Sequence, residues 1–573
     1  MDYDIVIRNG SLIDGTGSPA RPGDIAVREG RIAAIGEVAG KAREEIDAGG
    51  MAVAPGFIDI HTHYDAQLFW DPKASPSSHH GVTTIVCGNC GFSIAPLSGD
   101  ADDAEYLIAM LSRVEGMSVE ALKAGVPWDW TSFGQYLDHF EGKLAVNAGF
   151  MVGHSALRRA VMHERAVGEK ATRADIAEME ALLSESIAAG GLGLSSTICP
   201  IHTDADGQPI PSRWADDEEI YALSAVVGRH EGTVLEFQPN NLGAFDEAEM
   251  ARMAKMATLA DRPLNWNLFV SVAPEYERHN SQLAASDYAA ERGGHVSALA
   301  SVQAMTMRVN LISGFVFDQL PDWGDTMKLP FDERIKALAD PDNRKRLAEG
   351  VGRQGGLFAA WGKLREWRVD EVFDDANRDL QGLTIGEIAD RQGKAPIDAM
   401  LDLAVAEGLR TSFQGPPIGD DPESWRLRAE SWRDKRTIIG GSDAGAHLDM
   451  IDTFAFSSMV LGEGVRNRAI LPIEDAIHQM TGLPARHLGL RDRGELREGA
   501  HADIVVFDPE TIDCGPVRTR TDLPTDAVRL YADAIGMHHV IVNGTSIVRD
   551  GRYTEQYPGK VLRSGVDTMT PIL

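Results

Sequence analysis

Hydrophobic and polar positions alternate with a period of two in short runs at both ends of the chain. Residues 4–7, 11–14, 24–27 and 31–35 follow this pattern, punctuated by Asn9-Gly10 and Glu29-Gly30. Residues 502–507, 539–544 and 546–551 repeat it. Such runs, separated by turn residues, predict antiparallel strands. Between the two ends lie longer apolar runs at 56–61, 82–86, 147–152, 191–195, 233–237, 263–267, around 309–311, and 437–440. Stretches with helical periodicity, such as 173–189 and 216–229, separate them. Strand–helix alternation predicts a parallel sheet, and eight such strands predict a closed barrel with its active site at the strands' C-terminal ends. The fold class expected is therefore α/β. A TIM-type (β/α)8 barrel covers 57–487, and a small β-sandwich is built from 1–56 and 488–573, because chain ends often lie close together. Residues 321–393 break the rhythm. That stretch is charged, holds several tryptophans and is too long for a simple connection, so it reads as an inserted lid or subdomain.

Composition narrows the function classes. The 573 residues exceed one ordinary domain but suit a barrel plus a smaller unit. With 55 Lys and Arg against 86 Asp and Glu, the formal charge is −31, a field that repels nucleic acid and anionic membranes. No apolar run reaches transmembrane length. The acidic start Met1-Asp2-Tyr3-Asp4 lacks the features of a secretory leader, so the cytoplasm is the expected location. Four cysteines make no disulfide scaffold. Cys87 and Cys90 form a C-x-x-C, but no second ligand pair accompanies them as in structural zinc sites. Their setting among Gly88, Asn89 and Gly91 suits a loop after a strand better than the helix start of a redox motif.

Three features carry chemistry. His61-Thr62-His63 ends an apolar strand. Residues two apart on a strand share a face, so both imidazoles enter the same space and make half of a zinc site. Asp443 follows the apolar run 437–440. A carboxylate there can bind a metal and exchange a proton with water. Cys90 lies in the Gly-rich turn after residues 81–86, where a thiolate can join the ligand set. Each has a structural alternative: strand-end histidines without a ligand role, a capping aspartate, and a small buried cysteine.

Together these motifs resemble the amidohydrolase superfamily, and within it the D-aminoacylase (N-acyl-D-amino-acid deacylase) branch. The resemblance extends over most of the chain. It rests on residues 23–36 and 55–63, on 81–84 with 88–96, on 152–158, and on 488–496 with 499–507. It implies zinc, as one or two ions, held by His61, His63, Cys90 and Asp443. Asp443 is also the implied general base and acid, and the amide of an N-acyl-D-amino acid the implied substrate. The family's ligand histidines after the fifth and sixth strands are missing, since those strands run Thr233–Asn240 and Leu264–Leu268 without histidine. Glu236 is the expected replacement ligand, or a group hydrogen-bonded behind a ligand. His154, Arg158 and His447 are expected near the substrate. No arginine closely follows Asp443, so Arg158 or Arg213 is the candidate for a substrate carboxylate. Asp449 and Asp452 add negative charge to the rim if they face it. Two other readings stay open: a hydrolase of a cyclic amide or related C–N bond, and a metal-poor pseudoenzyme that binds a small ligand. A small-molecule partner is expected in every case, with no nucleic acid or membrane, and homo-oligomerisation is left open.

Overall fold

The computed structural model describes residues 1–572 except 274, 313–316, 318–319 and 354–361. Eight parallel strands form its centre: β1 (Phe57–Asp59), β2 (Val82–Cys87), β3 (Asn147–Phe150, resumed at Val152–Gly153), β4 (Gly193–Thr197), β5 (Val234–Gln238), β6 (Leu264–Phe269), β7 (Val296–Ser301) and β8 (Thr437–Gly441). Each pairs with the next in parallel, from Phe57↔Val82 through to Ala298↔Thr437, with register shifts in the first and the last two ladders. The ring closes beyond the formal strand ends. Thr62 bridges Ala444, His63 N–H donates to Ala444 O at 2.8 Å, and Asp443 N–H donates to His61 O at 3.1 Å. β2, β4 and β7 are buried along their whole length, as expected of strands covered on both faces.

Helices return the chain between strands. Arg173–Ala188 follows β3, Asp217–Val227 follows β4, Glu247–Ala260 follows β5 and Tyr276–Ala290 follows β6. Each of the first three starts on a side chain that accepts from the first-turn backbone: Thr172, Asp216 and Asp246. These caps satisfy donors that the helix itself leaves unpaired.

The seventh strand corrects an expectation. It is Val296–Ser301, not the run around 309–311. Its sequence Val-Ser-Ala-Leu-Ala-Ser is built mostly of small residues, with Leu299 its one large side chain, so it lacks the bulky apolar stripe that marks the others. Arg308–Val309 instead belongs to a three-stranded antiparallel sheet with Arg368–Glu371 and Ser412–Gln414. This sheet and the helices Phe331–Ala339, Pro341–Gly352, Ile385–Gln392 and Pro396–Ala406 surround a separate apolar cluster that includes Trp323, Trp367, Met400 and Phe413. The cluster reaches past the 321–393 stretch at both ends, and residues 354–361 of that stretch lie outside the described residues. Buried indoles explain the tryptophan content. Trp323 stacks on Phe317 at 4.6 Å and donates to Leu347 O at 3.0 Å.

The terminal strands join in one nine-stranded sheet. Ala52–Pro55 and Ile504–Phe507 run antiparallel at its centre and bring the two ends of the chain together. Ile5, Ile7, Ile25, Val27, Ile504 and Ile541 share its core. The turn expected at Asn9-Gly10 is absent. Tyr3–Leu12 is one strand, and a register shift between Ile7 and Gly10 takes up the extra residue. Asn9 sits at φ 56° and bonds Asp47 Oδ1 at 2.9 Å, the geometry of a bulge rather than a chain reversal. Among the described residues, no helix is long and apolar enough to cross a membrane.

Candidate active site

The C-terminal ends of β1, β2, β5, β6 and β8 open on a cavity of about 180 Å³. His61 and His63 leave β1 on the same face, as their spacing requires. The ring of His63 meets Asp443 Oδ1 at 3.0 Å through Nε2, and His61 Nε2 lies 3.5 Å from the same oxygen. Cys90 Sγ is 3.6 Å from His61 Nε2. The donor atoms of His61, His63 and Cys90 all lie within 4.8 Å of one another. Residues far apart in sequence thus converge where the first and last strands of the barrel meet.

Local backbone geometry sets these side chains. Cys90 has φ 53° in a tight turn entered by Gly88 at φ 78°. A Cβ on Gly88 would stand 2.4 Å from Met151 O, so the turn can pass β3 only as glycine. Asp65 Oδ2 accepts Gly88 N–H at 2.9 Å and ties this turn to the loop after β1. Asp443 has φ 57°. Ser442 Oγ beside it donates to the buried Asp59 Oδ2 at 2.5 Å, which clamps β8 to β1. Burial pushes the Asp59 carboxyl up to about 8.

Both imidazoles show the same polarity. Their Nε2 atoms face Asp443, while each Nδ1 faces a buried glutamate. His63 Nδ1 lies 3.4 Å from Glu115 Oε1, and His61 Nδ1 lies 3.9 Å from Glu236 Oε1. His61 Nδ1 and Glu236 Oε1 have no hydrogen-bond partner at present. Burial lowers the His61 pKa. For His63 burial works downward too, but the Glu115 and Asp443 carboxylates outweigh it and hold the group up to about 10. Burial raises the Asp443 carboxyl, yet hydrogen bonds from His61 and His63 prevail and keep it well below the usual carboxylate range. About a third of the Asp443 side-chain surface (33%) stays open to the cavity. Burial, then the Glu236 and Asp443 charges, push the Cys90 thiol up.

Several expected residues sit elsewhere. Glu236 does not reach the cavity. Its Oε2 accepts Cys90 N–H at 2.9 Å, and burial pushes its pKa up to about 8. Gln238, two residues further along β5, lines the cavity in its place. His154 and Arg158 are fully buried and both engage Glu219 rather than the cavity. His154 Nε2 meets Glu219 Oε1 at 2.8 Å, its Nδ1 meets Ser196 Oγ at 2.8 Å, and Arg158 Nη1 donates to Glu219 Oε2. Neither is placed to touch a substrate. Arg213 donates to His202 O at 2.8 Å and is not part of the cavity wall. Asp449 and Asp452 turn to the inserted unit. Asp449 accepts from Asn310 at 2.9 Å, and Asp452 accepts from Gln303 and Arg308 at 2.7 and 2.8 Å. His447 does line the cavity, with Nε2 3.9 Å from Asp443 Oδ2.

The Glu219 network has a measurable consequence. Burial raises its carboxyl, but the His154 hydrogen bond and the His154 and Arg158 charges outweigh this and lower the pKa from 4.5. A group with a depressed folded pKa stabilises fully above its unfolded value, and the gain disappears as pH falls through the lower one. Glu219→Gln leaves Arg158 buried without its counter-charge, which costs roughly 3–5 kcal/mol. Calorimetry should show a lower Tm at pH 7 and a shrinking difference from the wild type below pH 4.5. An unchanged Tm at pH 7 would show that the pair contributes nothing.

Three cavity residues escape a sequence reading. Glu115 is the last residue of the helix Ala101–Glu115, and an acid at a helix C-terminus opposes the helix dipole unless a partner such as His63 compensates. That mismatch was the only available signal. His202 bonds Thr197 Oγ1 at 2.9 Å, and burial lowers it to about 3. Arg278 comes from the helix Tyr276–Ala290 after β6 and is the one arginine or lysine among the described wall residues. It pairs with Glu275 at 2.5 Å and donates to Val270 O at 3.0 Å. Met305, Met307, Leu242 and Val270 make an apolar wall beside it.

Comparison with known proteins gives a consistent picture. The amidohydrolase family description matches residues 44–548. A D-aminoacylase of Alcaligenes xylosoxydans xylosoxydans is 30% identical over 569 residues, covering 98% of this chain and 97% of that protein. A solved D-aminoacylase, described with a binuclear metal centre showing one-metal activation and second-metal attenuation, superposes with a TM-score of 0.65. It is 28% identical, with 98% of this chain and 100% of that chain covered. An N-acyl-D-glutamate deacylase from Bordetella bronchiseptica was solved with zinc and a phosphonate mimic of the tetrahedral intermediate. Its TM-score is 0.64 at 26% identity, again covering 98% of this chain and 100% of that one.

Proposed function

Because the chain belongs to the amidohydrolase family, we propose that it is a metal-dependent hydrolase of N-acyl amino acids, with the D-enantiomers as its substrates. The observation that carries this reading is the shared polarity of His61 and His63. Imidazoles that bind a metal through one nitrogen usually give the other to a carboxylate. Here both Nε2 atoms converge with Cys90 Sγ and Asp443 Oδ1, and both Nδ1 atoms face buried glutamates. Two imidazoles, a thiol and a carboxylate form a donor set suited to zinc. The fit is good, with His61, His63, Cys90 and Asp443 as the holding residues and Glu115 and Glu236 behind them. Zinc bound there supplies Lewis acidity, which makes water acidic near neutral pH and polarises a carbonyl.

The chain's own residues do the rest. Asp443 is ionised and open to the cavity. It takes a proton from the attacking water as the oxygen bonds to the acyl carbon. It then hands that proton to the amide nitrogen as the C–N bond breaks. The products are a carboxylic acid and the free amino acid. Asp59 and Ser442 hold Asp443 at the cavity floor. Arg278 offers charge to the substrate's carboxylate, and the Met305–Met307 wall receives its apolar part. In this reading residues 57–487 supply the catalytic barrel, with 1–56 and 488–573 flanking it. A reducing cytoplasm suits a centre with a thiol ligand, and all four cysteines are free.

A panel of N-acetyl-D- and N-acetyl-L-amino acids, their carboxamides, and cyclic amides tests the reading on the zinc-loaded protein. Turnover of the D-series acids is expected. Cleavage of cyclic amides alone would overturn it. In the same panel Arg278→Met should raise KM for the acids by roughly 10–100-fold, the worth of a charged hydrogen bond, and leave the carboxamides unchanged. Equal losses on both would show that Arg278 serves the cavity wall rather than the carboxylate.

A further inference from the structure

The side of Cys90 that faces β5 and β6 is built of amides. Asn267, on β6, places Nδ2 3.3 Å from Cys90 Sγ and 3.5 Å from His61 Nε2. The same Nδ2 donates to Gln238 Oε1 on β5. Asn267 Oδ1 is buried without a hydrogen-bond partner. Among the described residues, β5 and β6 and the loops that follow them bring Gln238, Asn241 and Asn267 to the cavity as their polar groups, and no histidine, cysteine or carboxylate. Glu236, two residues deeper on the same face of β5, is taken up by Cys90 N–H and faces His61 Nδ1. The cluster His61, His63 and Cys90 is the one group of three potential ligands of these types found among the described residues.

We propose that the Gln238–Asn267 amide pair limits this centre to one divalent ion. The proposal rests on the metal-dependent reading above. Two ions in a hydrolase centre lie about 3.5–4 Å apart, and their mutual repulsion must be offset by anionic or imidazole ligands on both. A bridging thiolate needs a second lone pair facing the second ion. Here the Asn267 N–H points at the sulfur, and beyond it stand neutral amides already bonded to each other. Amide oxygens are poor partners for zinc beside thiolate and imidazole. One face of Cys90 is thus reserved for the ion shared with His61, His63 and Asp443, and the other for a hydrogen bond. Excess zinc therefore finds no second position between Cys90 and the β5–β6 wall from which to alter the reaction.

Metal content decides the matter without reference to activity. The full-length protein is equilibrated with a several-fold molar excess of zinc, desalted, and assayed by plasma mass spectrometry. One zinc per chain is expected, with a single-site calorimetric isotherm. The Co2+-substituted protein should show an isolated high-spin electron paramagnetic resonance signal. Gln238→His combined with Asn267→His should take up a second ion and give a spin-coupled Co2+ signal, and circular dichroism checks its fold. The isosteric Asn267→Asp, which adds a carboxylate at the same place, should do so more weakly. Two ions or a coupled signal in the wild type would overturn the proposal, as would a folded histidine double variant that still holds one. No ion at all would overturn the metal centre itself, a result distinguishable from either.

Discussion

Asp443→Asn is expected to lower kcat on an N-acetyl-D-amino acid by roughly 10²–10⁴-fold, the usual contribution of a positioned proton-transfer group, while the fold stays intact. The substitution is close to isosteric. The amide oxygen takes the place of the carboxylate oxygen beside His63, and the left-handed backbone at φ 57° tolerates asparagine as readily as aspartate. Basicity is what disappears. The imidazoles hold the Asp443 carboxyl well below its ordinary pKa, so the wild type carries the anion across the whole working range. A carboxamide takes no proton from water and has none to give to the departing nitrogen. The lost charge also weakens the grip on a cation, so the assay belongs at saturating zinc, with metal content measured on the same sample. A kcat within tenfold of the wild type at full metal loading would remove Asp443 from the proton transfers.

Much of this site is visible in the chain before any coordinates, for a definite reason. His61 and His63 follow a strong apolar strand, and strand geometry alone places i and i+2 on one face. Asp443 ends the last strand in the same way, and closure of the barrel makes first and last neighbours. Their 3.0 and 3.5 Å approach follows from that topology. What escaped was set by distance along a strand or by residues outside it. Glu236 and Gln238 share a face of β5, and the chemistry of the side chain favoured the glutamate. The rise of about 3.3 Å per residue puts Gln238 roughly two residues nearer the mouth, and it is Gln238 that lines the cavity. His154 follows a strand end and Arg158 is a candidate partner for a substrate carboxylate, but Glu219, on the helix after β4, claims both. Glu115 and Arg278 come from helices whose docking no local pattern reveals. β7 gives little sequence signal because packing between neighbouring strands, rather than large side chains, holds Val296–Ser301 in the sheet.

His63→Ala should weaken metal binding and turnover, and it should also destabilise the protein, because two separate functions meet in one ring. The ring supplies a metal donor through Nε2. It also stands between two carboxylates, 3.0 Å from Asp443 and 3.4 Å from Glu115. Glu115 is buried (2% exposed) and has burial as the largest force on its carboxyl, with His63 the first group that offsets it. Removing the partner of a buried charge costs roughly 3–5 kcal/mol. The two effects can be separated. In His63→Ala with Glu115→Gln the stranded charge is gone, so the Tm should recover most of the loss seen in His63→Ala alone, while zinc affinity stays lowered by at least about 10–100-fold, the scale on which even outer partners of a metal site act. Calorimetric Tm and competitive zinc titration on the wild type, both single variants and the double variant read the two effects independently. If the double variant regained zinc along with its Tm, His63 would be a packing residue whose loss only distorts the site. If His63→Ala kept wild-type zinc affinity outright, the centre would have to be built from other donors.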